Sequence, residues 1–169
     1  MSTSPEPHTY AVGPRYCKML LFSAIPLSLA MAIFALVLIA RDQCGPGVAL
    51  LAVWLAAAWG NLAALRRTVL RVTAEGIAFN RPGLALEAAW ADAERIDERY
   101  RQHSLLLRRG AATHMGMWTR MLRATSTSYR EVDRRIPLYM FDWDAHSPLY
   151  RDIVLHAPHL LPSAPLGQH

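Results

Sequence analysis

Charge is missing from two long parts of this sequence. Residues 19–40 include no Asp, Glu, Lys or Arg, and neither do residues 43–65. Cysteine is almost absent too: Cys17 precedes the first uncharged run and Cys44 falls near the start of the second. Two such separated cysteines exclude a disulfide framework and a CxxC metal pattern. No Ser/His/Asp or Cys/His grouping and no glycine-rich phosphate loop stands out, so the usual signatures of nucleophilic catalysis and nucleotide binding are missing. No nucleic-acid recognition module appears either.

What the chain has instead is apolar surface, 53% of its 169 residues, concentrated in those two runs. A helix needs about 20 residues to cross a hydrocarbon core of about 30 Å, and both runs reach that length. A cleaved secretory signal fits poorly. Its apolar region spans about 7–15 residues, and here a second run follows after a short polar break. A buried hairpin in a soluble protein would carry a polar stripe, which neither run has. The reading is therefore a transmembrane helical hairpin over residues 18–66, with spans at about 19–40 and 44–65. Pro26 is expected to kink the first span.

Arg41, Asp42, Gln43, Cys44, Gly45, Pro46 and Gly47 form a connection short enough to force the spans antiparallel, with both ends of the chain on one side. Arg15 and Lys18 flank the first span and Arg66, Arg67 and Arg71 the second, whereas the connection offers only Arg41. By the positive-inside bias both termini are cytoplasmic. Residues 1–17 then form a cytoplasmic tail, residues 67–160 a cytoplasmic domain, and residues 161–169 a flexible end.

The domain begins with strand signals. Residues 68–73 are β-prone, Glu75-Gly76 is a turn, residues 77–80 form a short strand and Arg81-Pro82-Gly83 a second turn. Leu84, Leu86 and Ala88 alternate into Trp90. Short strands separated by Gly and Pro turns predict an antiparallel meander. Residues 91–94 look like one helical turn, and further strands are expected from Ile96 toward Tyr100, at 104–107 and at 136–141. Ser147 followed by Pro148 is a helix start. Leu149, Tyr150, Ile153, Val154 and Ala157 share one face before Pro158 ends the helix, which serves to cover the sheet.

The segments "VTAEGIAF" (residues 72–79), "AAWADAERI" around Trp90 and Asp92, and "IPLYMFD" before the terminal helix resemble bacterial membrane-anchored pleckstrin-homology-like proteins. The resemblance covers most of residues 18–160. It implies an α+β membrane protein: a two-helix transmembrane hairpin, then a partly open antiparallel β-barrel of about seven strands capped by one C-terminal helix. It also implies a bacterial inner-membrane location. The turn Ala74-Glu75-Gly76 has one acid and no base where phosphoinositide-binding members of the wider fold carry a basic loop, so that activity does not carry over.

Two segments carry possible chemistry. Asp142, Asp144 and His146 in "DWDAH" alternate as three metal ligands on an extended strand would, against the simpler reading of polar residues entering the last helix. His156 and His159 have helical spacing, but Pro158 lies between them. Residues 108–135 hold seven arginines against Glu131 and Asp133. Inside this basic insert, Met117, Trp118, Met121 and Leu122 form an apolar stripe with Arg120 and Arg123 outside it, the pattern of a short interfacial helix. These six residues are the expected contact with the membrane surface or a partner. In the second span Ala56, Gly60 and Ala64 form a small-xxx-small series suited to helix packing.

Together these readings predict a non-enzymatic protein without cofactor or metal, whose domain is a binding or scaffolding module. Its expected partners are the lipid bilayer, anionic headgroups and other membrane proteins, not nucleic acid. The alternatives are a small metal-dependent membrane enzyme using the DWDAH segment, and a regulatory subunit acting through its hairpin.

Overall fold

A computed structural model describes residues 7–41, 44–99, 102–126 and 130–160. Asp42 and Gln43 of the connection, Tyr100, part of the insert (residues 127–129) and the expected C-terminal tail lie outside the described residues. The chain divides into two compact units: Pro14–Arg66, and the residues up to Gly13 together with those from Arg67 on.

The first unit is a pair of helices, α1 (Pro14–Ala40) and α2 (Cys44–Arg66), the first with Pro26 in its interior. At 1.5 Å per residue they extend about 40 Å and 35 Å. Both are long and apolar enough to cross a membrane. Their large side chains point outward. Phe22, Leu29, Val53 and Trp59 are exposed, and Ala35 and Gly47 are the buried residues of α1 and α2. A core helix of a soluble protein would bury such residues. The two helices approach closely at Gly47, where a β-carbon would lie 2.8 Å from Ile39 and 3.0 Å from the Ala35 carbonyl.

The second unit is α+β, with antiparallel sheets and a C-terminal helix. Its first sheet has the order β1-β2-β3-β4-β7, built from β1 (His8–Ala11), β2 (Val69–Val72), β3 (Gly76–Arg81), β4 (Leu84–Ala89) and β7 (Ala112–Met115). The second, ordered β5-β6-β8, contains β5 (Ala93–Arg99), β6 (Gln102–Leu107) and β8 (Arg135–Ile136). Among the described residues the two sheets do not close into the expected barrel.

The predicted meander is present. Leu70, Val72, Ile77, Phe79, Leu84, Leu86 and Ala88 alternate inward, and all are buried. Pro82 and Gly83 join β3 to β4, and Gly83 has φ 82°, as the third position of a type II turn requires. Trp90 closes the other end of the hairpin. Buried at 6% exposure, it donates its indole N–H to the Thr73 carbonyl at 2.9 Å and stacks on His156. Gly76 must be glycine here, because a β-carbon would collide with the Ala88 carbonyl.

α4 (Pro148–His156) starts as predicted, with the Ser147 hydroxyl accepting from the Tyr150 N–H at 3.1 Å. Leu149 and Ile153 are buried, Val154 is half-buried and Leu155 is exposed. Phe79 and Phe141 meet edge to face under the sheet.

Three features depart from the sequence reading. Residues 8–11, assigned to a tail, form β1 and pair with β2 in register from His8 with Val72 to Ala11 with Val69. β1 is tied to α4 as well: Tyr10 donates its hydroxyl to Asp152, and His8 Nδ1 lies against the same carboxylate, each at 2.5 Å. Burial and the bond to Asp152 push the Tyr10 phenol above its ordinary value. Residues 136–141 are not one strand. Pro137 cannot donate to a ladder, so β8 stops at Ile136 and a 3-10 turn (Leu138–Phe141) follows. Finally, β7 and the first residue of β8 come from the segment read as an insert.

Candidate functional site

The insert contains one further helix, α3 (Met117–Thr125). Its start is pinned to the β3–β4 turn. The Gly83 carbonyl accepts both the Gly116 N–H at 2.9 Å and the Thr119 hydroxyl at 3.0 Å. Backbone comes close at this point: a β-carbon on Gly116 would sit 3.2 Å from the Gly83 Cα. A second attachment lies one turn on, where Arg123 Nη2 pairs with Asp133 Oδ2 at 3.0 Å.

Both attachments are polar, and this sets the helix's orientation. Thr119 and Arg123 face the body of the domain, so the apolar stripe faces away from it. Met117 is 77% exposed, Trp118 68%, Met121 49% and Leu122 37%. No residue of α3 is buried. The six residues expected to make contact are thus on one short helix, with Arg120 and Arg123 along its other side.

An open-sided cleft of about 590 Å³ lies under that side, lined by Gly110, Met115, Arg120, Arg123 and Asp133 among others. Asp133 is only 7% exposed. Its Oδ2 takes the Arg123 pair, while its Oδ1 is buried without a hydrogen-bond partner among the described residues. A buried acceptor left unpaired costs free energy on the order of 1–3 kcal/mol.

The arginines divide into two groups. Arg135 pairs with Asp97 at 2.8 Å and Glu131 at 3.1 Å, and Arg134 donates to the carbonyls of Leu107 and Arg108. With Arg123 these are internal fasteners. Among the described residues Arg108, Arg109, Arg120 and Arg130 have no carboxylate partner. The free positive charge is therefore smaller than the residue count implied.

The DWDAH segment forms a cap. Asp142 ends the 3-10 turn in the left-handed region at φ 51°, the Asp144 carbonyl accepts the Ser147 hydroxyl at 2.7 Å, and Asp144 Oδ1 accepts the His146 N–H at 3.4 Å. Among the described residues no group of three His, Cys, Asp or Glu is placed to hold a metal. In α2, Ala56 and Gly60 are exposed and Ala64 is half-buried, and a β-carbon on Gly60 would meet nothing within 4 Å.

No family model, curated protein or solved structure matches this chain.

Proposed function

We propose that this is a non-enzymatic membrane protein whose α+β domain is a binding module that engages the bilayer surface through α3. The observation that carries the reading is the orientation of that helix. An amphipathic helix held to its own domain by Thr119 and Arg123 leaves Met117 and Trp118 mostly exposed and Met121 and Leu122 partly so. An exposed apolar patch rimmed by charge marks an interaction site.

A bilayer is the partner best supported. The same chain carries two candidate spans, and only Arg67 and Thr68 separate the end of α2 from β2, so the domain is tethered by a few residues. Each large apolar side chain moved fully out of water contributes about 1.5–3 kcal/mol. Each basic residue near an anionic leaflet adds about 1 kcal/mol. Arg15, Lys18, Arg66, Arg67 and Arg71 against Arg41 support cytoplasmic termini in a bacterial inner membrane. A meander with a closing helix supports the pleckstrin-homology-like reading of the domain.

The test uses the full chain, because cutting at residue 66 would remove β1. In nanodiscs whose acyl chains carry bromine, Trp118 is expected to be quenched, read as the difference from Trp118→Phe. Quenching unchanged by Trp118→Phe would turn α3 into a docking surface for protein. A reporter active only in the cytoplasm should work after His169 and fail at Gly45.

A further inference from the structure

We propose that the cleft between α3 and β7 binds the headgroup of an anionic glycerophospholipid that carries a hydrogen-bond donor beyond its phosphodiester. This inference rests on the reading of α3 as a bilayer contact and adds the class of lipid selected there.

The charges lining the cleft are complementary to such a headgroup. Arg120 and Arg123 bring two positive charges and Asp133 one negative, leaving one unit that a phosphodiester neutralises. Guanidinium groups suit phosphate oxygens because their planar fork donates two parallel hydrogen bonds. Arg120 has no carboxylate partner among the described residues, so it is free to take that role. A phosphate alone leaves Asp133 unexplained. Among the described residues its Oδ1 is buried and unpaired, in a residue that lines the cleft. With Arg123 still paired to Oδ2, Arg120 takes the phosphate, and a hydroxyl or ammonium group of the same headgroup donates to the acceptor capacity of Asp133 that remains. The cleft volume of about 590 Å³ lies within the usual 300–1,000 Å³ of small-ligand sites.

Depth agrees with this assignment. An interfacial helix buries its apolar face about 5–10 Å into the boundary of headgroups and acyl chains. A helix is about 10–12 Å across with its side chains, so the Arg120 and Arg123 side of α3 then lies at headgroup level.

The experiment compares two lipids of equal charge. Full-length protein in phosphatidylcholine nanodiscs is offered phosphatidylglycerol, which has hydroxyl donors, or phosphatidylmethanol, which has none, and the lipid retained after mild extraction is counted. The wild type is expected to retain phosphatidylglycerol about tenfold better, the value of one hydrogen bond to a charged acceptor. Asp133→Asn, whose amide oxygen accepts a weaker hydrogen bond, should lower that preference. Arg120→Gln, at an exposed position, should lower retention of both lipids equally. Equal retention by the wild type, or an undiminished preference in Asp133→Asn, would overturn the inference. Retention of soluble glycerophosphoglycerol as strongly as of phosphatidylglycerol would assign the cleft to a free phosphodiester and overturn the lipid source. Trp118 quenching by brominated lipid, read in the same samples, separates the two levels. Quenching without preference leaves α3 a bilayer contact and removes the headgroup site, whereas no quenching removes both.

Discussion

α3 and α4 are both nine residues long, both amphipathic and both in the same domain, yet they face opposite ways. α4 turns Leu149 and Ile153 into the core, where each is almost fully buried. α3 turns Met117 and Trp118 out. The difference lies in what holds each helix. α4 is held by burial of Leu149 and Ile153, with Asp152 tying it to Tyr10 of β1. α3 is held by a hydroxyl on the Gly83 carbonyl and an arginine on Asp133. Amphipathicity alone says that a helix has two faces; the polar attachments decide which one the solvent or a partner meets.

The largest expected effect breaks the α4 side. Ile153→Asp puts a charge into a fully buried site and should cost about 4 kcal/mol or more, seen as loss of folded protein in extraction and thermal assays. The matched change on α3, Trp118→Ser with Arg120→Glu, should move stability by no more than about 0.5 kcal/mol, the usual range for surface positions. It should nevertheless open a spin label at Leu122→Cys to a water-soluble nickel complex. If this pair unfolds the domain, α3 is a core element and the contrast fails. Next in size is Thr119→Ala, which removes the bond to Gly83 and should cost about 1 kcal/mol. Hydrogen exchange should then quicken in α3 and remain unchanged in α4.

The smallest effect concerns β1. A phenol whose folded value is raised holds its proton more tightly when folded. Its contribution to stability is whole below the unfolded value of about 10 and falls away as pH rises above it. Tyr10→Phe should flatten the stability curve above pH ~10 in a denaturant series, and an unchanged slope would remove Tyr10 from the clasp with Asp152.

The contrast also explains what was legible in the sequence. Local signals worked: alternation gave β2 to β4, Ser147-Pro148 gave the start of α4, and the spacing of Met117, Trp118, Met121 and Leu122 gave α3. Long-range pairing did not show. β1 has four residues, His8–Ala11, with little apolar alternation, and its partner lies beyond both apolar helices. β7 is likewise short and mostly exposed, and it pairs with β4 out of chain order. The arginine surplus read as surface charge because Asp97 and the Leu107 carbonyl lie on other strands, and only the fold brings Asp133 to Arg123 and the Arg108 carbonyl to Arg134. Asp133 had no sequence signal at all, since only its burial and its unpaired oxygen single it out.

The most direct test places a spin label at Leu122→Cys and, separately, at Leu155→Cys, in full-length protein carrying Cys17→Ser and Cys44→Ser and reconstituted into anionic nanodiscs. Both leucines are exposed, one on each helix. The label at 122 is expected to be relaxed by oxygen and shielded from a water-soluble nickel complex, while the label at 155 shows the reverse. Equal access of the nickel complex to both labels would contradict the claim that α3 presents its apolar face to a bilayer.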